Sequence, residues 1–238
     1  MKIAPVLAAS LLLGLVACSS SNTPAPEQDE GLLPGNGDPS SSAKDTNPDG
    51  VPYPTENIGT LARKGSTPGN RIANFKFVGY PNADKSGGLK QISLADFYDP
   101  TGSKYKIIHL QAAGVWCSAC QAETKTVVPL KAELEAKGAV WLVSLAEGGR
   151  GVPSKQSDLD GWIARFNSPF THVLDPGNKN LGPFYDAAAL PWNANIDATT
   201  MEILTAGTGG IVEPEGIRKE INDALELAST SKLRTTAE

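Results

Sequence analysis

Behind a tryptophan, two cysteines stand three positions apart, Trp116-Cys117-Ser118-Ala119-Cys120, at the junction of two stretches of different character. The stretch before them, Tyr105 to Ala112, is mostly apolar, carries two β-branched residues and reads as a buried central strand. The stretch from Cys117 to Lys137 reads as the first long helix. A buried strand running straight into a helix commits the chain to a layered α/β architecture. It also sets Cys117 where unpaired N–H groups and about half a positive charge favour a thiolate. Cys117 is therefore the candidate nucleophile. With two residues between them, the second sulfur comes within bridging distance on the first turn, so Cys120 is the candidate resolving thiol.

Ionisation alone explains little of such a site's rate. A thiol whose pKa falls from about 8.5 to about 7 gains roughly sixteenfold in thiolate at pH 7 and loses roughly fivefold in intrinsic nucleophilicity, a net gain of about threefold. The remainder has to come from holding a partner disulfide in line and from the intramolecular second step. The fold must therefore supply a docking groove beside the cysteines.

Strand and helix patterns alternate around the pair. Phe75 to Tyr80 and Leu89 to Ser93 are short strand patterns, and Leu94 to Tyr98 looks like one helical turn. After the first helix, Val140 to Ala146 is a second buried strand. Gln156 to Asn167 is amphipathic, with Leu159, Trp162, Ile163 and Phe166 along one stripe. Phe170 to Leu174 returns as strand, Trp192 to Asp197 and Met201 to Thr205 form a terminal hairpin, and Glu213 to Ala228 closes as a helix. Parallel strands followed by a hairpin predict one central mixed sheet with helices on both faces and an N-terminal strand extension.

From about Arg71 to Leu227 the chain resembles the thioredoxin-like superfamily, and within it the membrane-anchored TlpA/ResA type of the AhpC/TSA-related group. Four features carry the likeness: the Trp-Cys-x-x-Cys after a central strand, Glu123 three residues past the second cysteine, the Leu190-Pro191 step before a strand hairpin, and Ser93-Leu94-Ala95-Asp96-Phe97 ahead of the core. The resemblance implies a thiol-disulfide oxidoreductase acting on protein thiols and disulfides. It implies that Pro191 is cis and faces the cysteine pair, with the backbone of Leu190 free to pair with an extended substrate. Trp116 and Trp192 would flank the sulfurs as apolar walls.

Two positions depart from the wider superfamily. Many thioredoxins have a buried carboxylate six residues before the nucleophilic cysteine, where this chain has Gln111, which cannot accept the Cys120 proton. Glu123 is the nearest alternative base. Pro129 lies about one turn beyond the usual helix kink, which predicts a changed helix start or a later bend. Ser118-Ala119 leaves the redox direction open. A peroxiredoxin-like thiol peroxidase is an alternative, but Gly114 stands where its threonine would be. Another is a metal- or ligand-binding thioredoxin-like module without turnover. A copper-delivery protein of the Sco type would need a longer cysteine spacing and a ligand histidine, and His109 and His172 both fall in strand patterns that suit packed histidines. No metal or other cofactor is expected, and the chain is expected to be a monomer.

The third cysteine lies apart. Lys2 precedes an apolar run, Ile3 to Val16, too short to span a bilayer, and Leu15-Val16-Ala17-Cys18 resembles the bacterial lipobox. Residues 1–17 are expected to be a lipoprotein signal peptide and Cys18 a lipidated anchor; the following Ser19 favours the outer membrane, with the domain facing the periplasm. From Ser19 to Asn57 the chain holds seven Pro, six Ser and seven acidic residues with no apolar periodicity, so residues 18–57 are expected to be a disordered tether with a reach of roughly 35 Å. Residues 58–238 are then one folded domain. A formal charge of -5 supplies no basic field for a phosphate backbone and argues against nucleic acid as a partner.

Overall fold

A computed structural model describes residues 45–186, 188–231 and 233. The expected signal peptide, the expected lipidation site Cys18 and the expected tether up to residue 44 lie outside the described residues. Eight strands form one mixed sheet: β1 Lys76–Tyr80, β2 Lys90–Ser93, β3 Ile107–Gly114, β4 Ala139–Gly149, β5 Val152–Pro153, β6 Thr171–Leu174, β7 Trp192–Asp197 and β8 Ile203–Thr208. The helices are α1 Ser118–Val127, α2 Lys131–Ala136, α3 Gln156–Phe166 and α4 Pro214–Ser229. The sheet runs β2-β1-β6-β4-β3-β7-β8, with β5 pairing β4. At its centre β4 is parallel to both β3 and β6, while β7 and β8 add antiparallel to β3 and to each other. This is the expected order, with the hairpin β4–β5 as an addition, turning at the glycine-rich Gly148-Gly149-Arg150-Gly151.

Strand alternation divides the core in two. On one side Ala113 of β3 and Trp141, Val143 and Leu145 of β4 pack against residues of all four α-helices, among them Val127, Leu134, Trp162 and Ile221. On the other, Ile108, Leu110, Ala112, Leu142, Ala194 and Ile196 meet Phe75, Phe77, Ile92 and the 3-10 turn Leu94–Phe97. Helical segments thus cover both faces, but the second is roofed by one short turn and irregular chain.

The first helix is shorter than expected. It ends at Val127, passes through a 3-10 turn at Val128–Leu130 and resumes as α2. Pro129 explains the break, because it has no N–H for the ladder and its ring crowds the carbonyl four residues earlier. α3 stops at Asn167, which takes the left-handed conformation at φ 47° and returns its N–H to the Ile163 carbonyl.

The expected tether needs a correction at its C-terminal end, since residues 45–57 pack on the domain. Asn47 accepts from the N–H groups of Asp49 and Val51 and donates to the Tyr98 carbonyl. Tyr53 is 3% exposed, and its hydroxyl donates to the Ile72 carbonyl at 2.7 Å. A proline-rich stretch has less backbone entropy to lose than its polarity suggests, so one buried aromatic and one Asn-centred turn suffice to hold it. The folded domain begins no later than Asp45.

Farther along, Arg63 makes a two-pronged ion pair with the buried carboxylate of Glu202, at 2.9 and 2.8 Å. The same carboxylate accepts from the Gly69 N–H and the Ser231 hydroxyl. One anion thereby joins the segment before β1, the entry to β8 and the chain beyond α4.

Candidate redox site

The site forms where β3 ends. Gly114 closes the strand, the Cys117 N–H returns to the Gly114 carbonyl at 3.0 Å, and α1 begins at Ser118 with Cys117 as its N-cap. The Cys117 sulfur accepts the N–H of Cys120 at 3.1 Å and is bonded to the Cys120 sulfur, with the two Cα atoms 5.3 Å apart. Cys117 keeps 3% of its surface exposed and Cys120 none. Both are buried, and of the two only Cys117 keeps any surface that a partner could reach.

Two walls adjoin the pair. Trp116 is half-buried; its indole N–H donates to Glu147 at 2.6 Å, and the Arg150 guanidinium lies 3.9 Å above the ring. Both partners come from the β4–β5 hairpin, so that addition to the fold clamps the tryptophan. Opposite, the Leu190-Pro191 bond is cis. A side chain on Gly210 would come within 3.0 Å of the Ala119 carbonyl and 3.4 Å of Pro191 Cγ, so the glycine lets Pro191 approach the residues between the cysteines. A side chain on Gly114 would lie 3.0 Å from the Trp116 indole nitrogen and 3.1 Å from Leu190 Cδ1. Glycine at 114 is therefore what lets the two walls meet. Trp192 does not join them: it lies in the opposite core, stacked on Tyr185 with centroids 5.3 Å apart.

Glu123 is fully buried and sits on the first turns of α1 beneath the cysteines. Gln111 donates to it at 2.6 Å, Asn193 at 3.0 and 3.1 Å, and the Ile211 N–H at 2.8 Å. Burial raises its pKa to about 7, with these three donors acting in the opposite sense. A carboxyl poised there can exchange a proton near neutral pH. Gln111, barred from taking a proton itself, holds the group that can.

Sequence reasoning missed Asn193 and Ile211. Asn193, Asn195 and Asp197 alternate with Trp192, Ala194 and Ile196 along β7, a pattern that ordinarily sends the polar set to solvent. All six are buried here, and the run of small amides in place of Lys or Glu was the available signal. His172 is packed as expected: Nδ1 donates to the Phe170 carbonyl at 2.8 Å, and burial lowers its pKa to about 4. Among the described residues no group of three or more His, Cys, Asp or Glu could hold a metal ion. Two clefts, of about 800 and 560 Å³, lie away from the cysteines.

No family model matches the chain, and no curated protein matches it. Solved structures do. A protein of Chlorobium tepidum described as a thiol:disulfide interchange protein, DsbE, superposes over 66% of this chain and 97% of its own, with 19% identity and a TM-score of 0.51. A secreted thiol-disulfide isomerase of Corynebacterium glutamicum does so over 67% and 87%, with 17% identity and a TM-score of 0.50. With the sheet order above, these likenesses establish a thioredoxin-like fold carrying a cysteine pair at disulfide distance.

Proposed function

We propose that this chain is a thiol-disulfide oxidoreductase that exchanges disulfides with protein partners outside the cytoplasm. The observation that carries the reading is the Cys117–Cys120 bond capping α1 with the buried carboxyl of Glu123 behind it. Supporting it are the unequal exposure of the two sulfurs and the named activities of the two structural neighbours.

In the reducing direction the Cys117 thiolate attacks one sulfur of a partner disulfide, and the other partner sulfur leaves as a thiolate. The Cys120 thiol gives its proton to the Glu123 carboxylate and attacks the Cys117 sulfur. That closes the internal disulfide and releases the second partner thiol; the oxidising direction is the reverse. Trp116 and the Leu190-Pro191 step form the docking walls, where main-chain pairing with an extended peptide suits substrates that differ in sequence. The N-terminal reading extends the proposal to location: a signal peptide, lipidation at Cys18 and an outer-membrane lipoprotein facing the periplasm.

Replacing Cys120 by Ser tests the mechanism. A Cys120→Ser chain has no resolving thiol, so mixed disulfides at Cys117 should accumulate and be recovered from cells, and should disappear in Cys117→Ser/Cys120→Ser. Recovery of none, under both oxidising and reducing growth, overturns the enzyme reading.

A further inference from the structure

A line of polar side chains crosses the helical face of the sheet, and only its first member takes part in the exchange just described. Beyond Glu123, the Asn193 amide nitrogen donates to the Glu123 carboxyl and to the Gly209 carbonyl at 3.0 Å. The Asn195 amide nitrogen donates to Thr205 and to Glu220 on α4. These acceptors leave each amide one orientation, because turned over it would set its oxygen against a carboxylate. Both amide oxygens therefore point the other way, and both point at His109. Asn195 Oδ1 lies 2.9 Å from its Nδ1, and Asn193 Oδ1 lies 3.2 Å from its Nε2.

A neutral imidazole has one N–H and would turn a lone pair toward one of those oxygens. The imidazolium donates at both. Glu123 is the complementary case, since Gln111, Asn193 and Ile211 all reach it with donors that suit a carboxylate. A third observation points the same way: the Trp141 indole stacks on the His109 ring at 3.6 Å with 20° between planes, a face that attracts a cation.

We propose that His109 carries the imidazolium charge when Glu123 is ionised, so that the buried line Glu123–Asn193–His109–Asn195–Glu220 alternates carboxylate, imidazolium and carboxylate and keeps Glu123 available as a base. One proton is accounted for between the two sites, on Glu123 in the neutral form of the pair and on His109 in the charged form. The titratable groups facing the ring are Glu123 from α1 through Asn193 and Glu220 from α4 through Asn195; β4 presents Trp141. Burial outweighs the two acceptors and holds the ring's pKa down to about 4, so the charge on His109 has to be drawn by the anions at either end of the line. A cleft of about 210 Å³, lined by Asn193, Thr205, Gly209, Ile211 and Glu220, opens on the line and gives its protons access to solvent. His109 touches neither sulfur and is a positioning residue. Its link to catalysis rests on the disulfide-exchange reading, but its charge state does not.

Nitrogen-resolved NMR of the two histidine rings in the full chain tests the charge state without any substitution. At pH 8, where Glu123 is ionised, both nitrogens of His109 should carry protons, while His172 shows one protonated nitrogen. A neutral His109 at pH 8 overturns the proposal, whatever the activity proves to be. In kinetics, His109→Gln should move the acid limb of the pH–rate profile of disulfide exchange up by about one unit, a roughly tenfold loss of rate below the limb. An unmoved limb in a folded variant overturns the coupling to Glu123. If the unaltered chain exchanges no disulfides, the enzyme reading fails and the NMR result still decides the charge state.

Discussion

Cys117 and Glu123 lie two turns apart on one helix and meet opposite electrostatics. The cysteine caps the helix, where N–H groups favour its anion; the glutamate is buried, which disfavours its anion and raises its pKa to about 7. In the proposed mechanism that difference lets one residue attack while the other waits for a proton. Glu123→Gln keeps the shape but removes the exchangeable proton, so the resolving step should slow roughly 100-fold and its pH dependence below about pH 7 should flatten. Stopped-flow reduction of a protein disulfide across pH 5–8 measures both, and an unchanged profile removes Glu123 from the mechanism. The glutamate was legible because Gln111 left a vacancy for a base. Asn193 was not, because an amide in an alternating strand looks the same in sequence whether it faces water or a buried carboxyl.

Among the elements, α1 and β7 diverge most from what their sequences suggest. Proline chemistry is local, so the break at Pro129 follows from one residue and its position was readable even where its outcome was not. β7 is the reverse case: its boundaries matched expectation, yet its polar face turned inward because α4 covers it. The segment before β1 depends on a contact from far along the chain. Arg63 and Glu202 are 3% and 0% exposed at the side chain, so removing one partner leaves a buried charge. Glu202→Ala is therefore expected to cost about 3–5 kcal/mol in urea denaturation. A loss near zero would mean that this anchor does not hold the segment.

For the molecule as a whole, buried histidine ties stability to pH. The folded pKa of His172 is lowered to about 4, so between its unfolded value near 6.5 and about 4 the unfolded chain binds more protons than the folded one. Stability from this source is complete above pH 6.5 and is lost as pH falls to 4, by about 3 kcal/mol. Urea denaturation at pH 7 and pH 4 should give a difference smaller by about that amount in His172→Gln. Equal differences in the two proteins would refute the linkage. The chain's sequence alone was enough to determine the strand–cysteine–helix junction, the order of strands and helices and the glutamate behind the thiols, since each depends on neighbours within a turn or a strand. Only the tertiary structure decided that Trp192 turns away from the sulfurs, that residues 45–57 belong to the domain, and that two asparagines aim their oxygens at His109. Those outcomes are set by partners remote in sequence, and whether a polar side chain meets water or a buried carboxylate depends on what the folded chain lays over it.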